Sequence, residues 1–176
     1  GVRYIDEQPV SVAQFAEYLL PTLKRLDMKL YLEPGRSLVA NAGVLLTRVD
    51  ILKPSAHKNF AVVDAAMNDM IRPALYQAEM GVIPTRLTDD AQPAKTWDIV
   101  GAICETGDFL AKNRVLSLAA DDVLAMTGAG AYGFVMASNY NSRPRACEVL
   151  IKDGVAHLIR ERETVESLWQ LEHIIK

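Results

Sequence analysis

The sequence predicts an α+β chain, with one helix–strand unit at the N-terminal end and a mainly antiparallel β domain from about Gly43 onward. Three observations carry this expectation. Apolar residues recur at three- and four-residue spacing between Ser11 and Leu26. A short apolar run, Met28 to Leu32, follows at once. Beyond Gly43, strand-like runs alternate with turn residues. Two of these runs flank Asp153-Gly154, a dipeptide that tolerates the positive φ angles of a type I′ hairpin turn.

Val12, Phe15, Ala16, Leu19, Leu20 and Leu23 give a helix its apolar face, Ser11 is its candidate N-cap, and Pro21 should kink it or start a new turn. Met28 to Leu32 is a candidate buried strand ending at Glu33-Pro34-Gly35-Arg36. Strands are expected at Val44–Lys53, Asn59–Ala65 and Thr96–Cys104. Asp69 to Tyr76 reads as a helical turn. Asp122 to Met126 leads into the glycine-rich turn Gly128-Ala129-Gly130-Ala131-Tyr132-Gly133. The hairpin strands are Ala146–Lys152 and Val155–Arg160, and Glu163 to Leu171 reads as a helix.

Composition excludes several classes of function. The 176 residues suit one domain, or a small domain plus a piece of another. Half are hydrophobic (50%), too many for intrinsic disorder. No stretch approaches the roughly 20 uninterrupted apolar residues of a membrane-spanning helix. The first residues lack the layout of a secretory signal. A formal charge of −3 argues against nucleic acid, whose binders carry basic patches. Two cysteines, Cys104 and Cys147, cannot build a disulfide framework, so a cytoplasmic protein is expected. The chain opens Gly1-Val2-Arg3-Tyr4 without methionine, as a processed or excised piece would.

Four constellations can carry chemistry. Gly35 allows close approach of a ligand to the backbone, and Arg36 can hold a phosphate or carboxylate through two parallel hydrogen bonds. A plain turn with a solvated arginine is the alternative. Arg72 and Tyr76 stand four apart, so on a helix they share a face and form a carboxylate clamp; a surface arginine beside a half-buried tyrosine is the alternative. In Cys104-Glu105-Thr106-Gly107-Asp108, a thiol among charged groups can act as acid or nucleophile, or simply be buried and inert. Cys147 reads as packing. The turn around Tyr132 can present N–H groups and a phenol to an anion, although its spacing is not that of a dinucleotide fingerprint. His57, His157 and His173 lack metal-ligand spacing, so no metal is expected. Arg160-Glu161-Arg162-Glu163 reads as a solvated face.

Taken in order, these motifs resemble the C-terminal half of the diaminopimelate decarboxylases, a family dependent on pyridoxal 5′-phosphate (PLP). Glu33-Pro34-Gly35-Arg36, Met67-Asn68-Asp69, Arg72-Pro73-Ala74-Leu75-Tyr76, Cys104-Glu105-Thr106-Gly107-Asp108 and Gly130-Ala131-Tyr132-Gly133 carry the resemblance. Gly1-Val2-Arg3-Tyr4 is similar to the tail of the family's glycine-rich phosphate loop. The resemblance implies that residues 1–42 are the C-terminal remnant, the last helix and strand, of a PLP-binding (β/α)8 barrel. Residues 43–176 are then a mainly antiparallel β-barrel or Greek-key domain with a terminal helix. It further implies that Glu33, Pro34, Gly35 and Arg36 border the cofactor phosphate. Arg36, Arg72 and Tyr76 bind substrate carboxylates, and Glu105 binds the distal amino group. Tyr132 contacts cofactor and substrate, and Cys104 is the proton donor.

The implied partners are a small-molecule substrate and a second subunit, in a homodimer whose active site is shared across the interface. Nucleic acid and membrane are not expected. The implied reaction converts meso-diaminopimelate to lysine, the last step of lysine biosynthesis. The lysine that joins the cofactor lies upstream of Gly1 in the family, so this chain alone is expected to be inactive. Two other readings stay open: a related decarboxylase acting on ornithine, arginine or carboxynorspermidine, and a non-catalytic β module.

Overall fold

The computed structural model describes residues 2, 5, 8–86 and 93–175. Ser11 starts the first helix, α1 (Val12–Leu26), with a reciprocal capping box: its hydroxyl accepts from Gln14 N and the Gln14 side chain accepts from Ser11 N. The helix continues through Pro21 and ends at Asp27 in the left-handed conformation. Two short helices follow, α2 (Arg36–Val39) and later α3 (Arg72–Tyr76), with a 3₁₀ turn at Ala40–Ala42 directly after α2.

Six strands form one mixed sheet: β1 (Val44–Lys53), β2 (Asn59–Val63), β3 (Val82–Pro84), β4 (Lys95–Val100), β5 (Phe109–Leu116) and β6 (Val123–Thr127). Their order is β3-β6-β1-β2-β4-β5. All pairs are antiparallel except β2–β4, where Ala61 sits opposite Ile99 in a parallel register. A parallel pair needs a long crossover, and here it contains α3 and β3. The sheet curls until its two edges nearly meet. Arg114 on β5 donates to the carbonyl of Met80, just before β3, at 3.2 Å. The result is a nearly closed barrel filled by Val49, Val63, Met70, Met80, Ile99 and Leu110. On β4, Trp97, Asp98 and Ile99 are buried in succession, because both faces of that strand are covered. Asp98 accepts from Asn113 N at 2.8 Å and pairs with Lys58 at 2.5 Å.

A separate hairpin joins β7 (Glu148–Lys152) to β8 (Val155–Arg160). Asp153 at φ 52° and Gly154 at φ 77° make the expected positive-φ turn.

The segment Arg36–Ala42 docks on the turn after β6 by backbone contact. Gly130 N donates to Ala40 O and Ala129 N to Gly43 O, both at 3.0 Å. A Cβ on Gly130 would stand 2.0 Å from the Val39 oxygen, and one on Gly43 would stand 2.7 Å from Gly130 Cα. Ala40, Ala131 and Val2 close a small second core over this junction.

Several expectations change. Met28 to Leu32 is not a buried strand: Met28 is 64% and Tyr31 84% exposed, and no described strand lies alongside to complete their hydrogen bonds. The strand expected over Thr96–Cys104 stops at Val100, which leaves Cys104 in a loop. The helix expected over Glu163–Leu171 is a single 3₁₀ turn, Glu166–Leu168. Cys147 precedes β7 and is half-buried. β3 and β5 carry no local strand pattern. The first is three residues long, and the second carries the polar run Lys112-Asn113-Arg114 at its centre. Gly1, Arg3 and Tyr4, which carry the resemblance to a phosphate loop, lie outside the described residues.

Gly130→Ala should lower stability by about 1–3 kcal/mol, because the methyl has no space against Val39 O. Urea unfolding of the two proteins side by side checks this.

Candidate active site

Ala66 N–H caps the Asp69 carboxylate at 3.0 Å, and Met70 N donates back to Ala66 O at 3.2 Å. This turn ends β2's connection and delivers α3, with Pro73 pre-set for its first turn. Arg72 and Tyr76 then share one face, as their spacing predicts. Arg72 is 9% exposed. Its guanidinium carbon lies 5.5 Å from the Tyr76 ring centroid and 5.3 Å from that of Tyr132. Both rings present negative faces to the cation, a contact worth roughly 0.5–2 kcal/mol per ring. Tyr132 reaches this position from the glycine-rich turn in the left-handed conformation, at φ 60°. Its hydroxyl stands 3.5 Å from where a Cβ on Gly35 would be, so the absent side chain leaves room beside the phenol. Arg36 follows, half-buried, as the first residue of α2. Three separate sequence motifs thus meet in one cluster.

A second cluster forms on the loop between β4 and β5. Asp108 is 4% exposed and accepts two backbone N–H groups, from Met67 at 2.7 Å and Ile103 at 2.8 Å. Gly101 N donates to Asp108 O and Asp108 N to Glu105 O, which closes the loop on itself. Cys104 and Glu105 are carried exposed on its outer side. Tyr140 donates its phenol to Glu105 Oε2 at 3.2 Å. The Glu105 carboxylate, first through that hydrogen bond and then through its charge, holds the Tyr140 phenol above its ordinary value of 10.0.

Asn68 lies between the clusters and is 1% exposed. It donates to Ser138 O, accepts from Arg143 Nε at 3.0 Å, and its own carbonyl accepts from Ser138 N at 2.9 Å. Burial raises the Asp69 carboxyl above 3.8, against the lowering effects of the Ala66 N–H and Arg143. Beyond Tyr140, Glu163 ties the hairpin to the same segment. It accepts from Arg145 N and Nε, both at 2.8 Å, and from Asn139 Nδ2 at 2.6 Å. Arg160 pairs with Glu148 at 2.5 Å, so the charged run Arg160–Glu163 is a set of anchors as well as a solvated face.

Of the residues the sequence singles out, Gly35, Arg72, Tyr76 and Tyr132 come together in the first cluster, and Cys104 and Glu105 share the second. The sequence does not single out Tyr140 as a partner of Glu105. The two are 35 residues apart, and nothing local marks Tyr140. Among the described residues no group of three His, Cys, Asp or Glu is placed to hold a metal ion, and no helix is long and apolar enough to cross a membrane.

Residues 9–130 match the family model of the pyridoxal-dependent decarboxylase C-terminal sheet domain. The chain belongs to this family. Curated diaminopimelate decarboxylases of Pseudomonas aeruginosa and Vibrio cholerae are 57% and 52% identical to it over 99% of its length. The chain spans 42% of the length of each. Among solved structures, diaminopimelate decarboxylase of Helicobacter pylori in complex with L-lysine superposes with a TM-score of 0.88 at 39% identity, over 98% of this chain and 42% of that one. A viral arginine decarboxylase shares the fold alone, with a TM-score of 0.66 at 18% identity over 73% of this chain and 37% of that one. Within this sheet-domain family the mixed, nearly closed barrel is the common frame, and the two clusters lie on it.

The Glu163 clamp has a pH signature. Hydrogen bonds from Arg145, side chain first and then backbone, lower the Glu163 carboxyl from 4.5 to about 2. Its folded value is depressed, so its stabilising effect is complete above 4.5 and is lost as pH falls toward about 2. In an acid titration followed by fluorescence, Glu163→Gln should remove that part of the acid dependence, and the rest of the profile should be kept.

Proposed function

We propose that the chain is the C-terminal part of a PLP-dependent diaminopimelate decarboxylase, which releases carbon dioxide from meso-2,6-diaminopimelate to give L-lysine. Residues 1–42 then belong to the cofactor-binding (β/α)8 barrel, with α1 as its last helix, and residues 43–176 form the β domain. One observation carries the reading: the buried Arg72 guanidinium held between the Tyr76 and Tyr132 rings. A buried, pre-oriented cation of this kind is suited to a second carboxylate, which diaminopimelate has and ornithine lacks.

The residues fit the cofactor. Glu33 to Gly35 are exposed, and the missing Cβ of Gly35 leaves space beside the Tyr132 hydroxyl. Glu33, Pro34, Gly35 and Arg36 would border its phosphate, and Tyr132 would contact cofactor and substrate. The chemistry these residues would gain from bound PLP is an electron sink for the pair left on the α-carbon when carbon dioxide departs. Arg36, Arg72 and Tyr76 hold the substrate's carboxylates, and Glu105 takes the distal ammonium. Cys104 Sγ delivers a proton to the carbon that lost its carboxylate. Cys104 and Glu105 serve the site of a second subunit in a homodimer. Exposed apolar residues on α1 and the hairpin, Phe15 and Leu20 on one and Ile151 and Leu158 on the other, offer surface for the barrel and the second copy. The unpaired cysteines fit a cytoplasmic enzyme.

The deciding assay is carbon dioxide release by the full-length polypeptide with PLP. Release from meso-diaminopimelate with little from ornithine supports the reading. Preference for ornithine, arginine or carboxynorspermidine moves the protein to a sister activity, and silence on all four leaves a non-catalytic β module. In the active enzyme, Cys104→Ala should lower kcat by about 10²-fold or more while PLP absorbance is retained. Unchanged turnover removes Cys104 from its role. Arg72→Ala should raise KM for diaminopimelate about ten- to a hundredfold, as expected for loss of a charge-assisted bond.

A further inference from the structure

Glu105 sits on the outer side of its loop, where a glutamate side chain has many rotamers. A carboxylate that must meet an ammonium at one place needs something to hold it there. The clamp by Asp108 fixes the loop backbone and leaves the Glu105 side chain free to rotate. What restrains the carboxylate is Tyr140, through the 3.2 Å bond from its phenol to Oε2.

Tyr140 is itself held. Its amide donates to the Ser138 hydroxyl at 3.3 Å. Ser138 is bonded to Asn68 in both directions, N–H to the Asn68 carbonyl at 2.9 Å and carbonyl from the Asn68 side chain at 3.3 Å. Asn141 and Ser142 then adopt φ 60° and 55°, two successive left-handed residues without a glycine. Such backbone persists only where its surroundings enforce it. Here the enforcing contacts are Asn139 on Arg143 O and Glu163, and Arg143 on Asn68. The buried Asn68, adjacent to the turn that delivers Arg72, therefore also sets the place of Tyr140.

We propose that Tyr140 is a positioning residue that orients the Glu105 carboxylate toward the distal ammonium of a diamino-dicarboxylate substrate. The inference rests on the function proposed above. The phenol has a single O–H, which it gives to one carboxylate oxygen. The other oxygen stays available to the ammonium. Phenylalanine at this position keeps the ring and removes only the restraint.

The test uses full-length wild-type enzyme with PLP, Tyr140→Phe, Glu105→Gln and the double variant, assayed on meso-diaminopimelate. Tyr140→Phe should raise KM about five- to tenfold with kcat within about twofold, because the lost restraint acts on binding of the far end. In the Glu105→Gln background the same change should add little, since the group it orients has lost its charge. A KM unchanged by Tyr140→Phe overturns the inference, and so does an effect that adds in full to that of Glu105→Gln. Wild-type enzyme that releases no carbon dioxide from diaminopimelate overturns the proposed function, and this inference with it.

Discussion

The carboxylate of Asp108 is the interaction on which the rest of the site depends. It is buried, and each oxygen takes a backbone N–H from a different part of the chain. One belongs to the turn before α3 and the other to the loop that carries Cys104 and Glu105. A buried carboxylate without such partners would cost several kcal/mol, so the two segments are held to each other by the cost of separating them. Gly101 shows how tight the junction is. A Cβ there would lie 2.4 Å from Asp108 Oδ2 and 2.6 Å from Ala66 Cα. Through this junction the positions of Arg72 and of the thiol–carboxylate loop become one geometric fact.

A second constraint is backbone against backbone. Gly43 and Gly130 touch where no side chain could stand, and Ala40 bonds to Gly130. That contact brings Gly35 and Arg36 from before the sheet to Tyr132 from after it. Tyr132 needs positive φ to point back at Arg72, a conformation that costs a tyrosine free energy and that the packed glycines on either side impose. Gly133 completes the constraint, with no room for a Cβ 2.3 Å from Ala129 O.

Electrostatics does a different task at the hairpin. Arg145 and Glu163 meet through several bonds, and Arg145 and Arg160 both stack on Phe134, at 5.2 and 4.5 Å. The hairpin strands are exposed throughout β8, so these polar and cation–π contacts, more than an apolar core, fasten the hairpin near the segment bearing Tyr140. Such ion pairs are individually modest and screened by salt, in contrast with the apolar barrel core.

Local patterns were sufficient for the elements whose causes are local. Ser11 and Gln14 cap α1 by their own side chains, Asp153-Gly154 turns the hairpin by its own φ preferences, and Arg72 and Tyr76 share a face because a helix repeats every 3.6 residues. The motifs at Gly35, Cys104 and Tyr132 were legible as motifs for the same reason. What no local pattern carries is partnership. Met28 to Leu32 has the composition of a buried strand, yet burial needs a neighbour, and it is exposed here. The edge strand β5 hides behind three polar residues because Asn113 N finds its partner on the neighbouring β4, at Asp98, and Arg114 finds its own across the barrel seam, at the Met80 carbonyl. Tyr140 meets Glu105 only because Asn68 and Asp108 fold two distant segments onto one turn. Local pattern along the chain thus sets which chemical groups are present and which short elements present them. The tertiary structure decided which of those groups meet, because buried hydrogen bonds and close backbone contacts act between residues that are far apart along the chain.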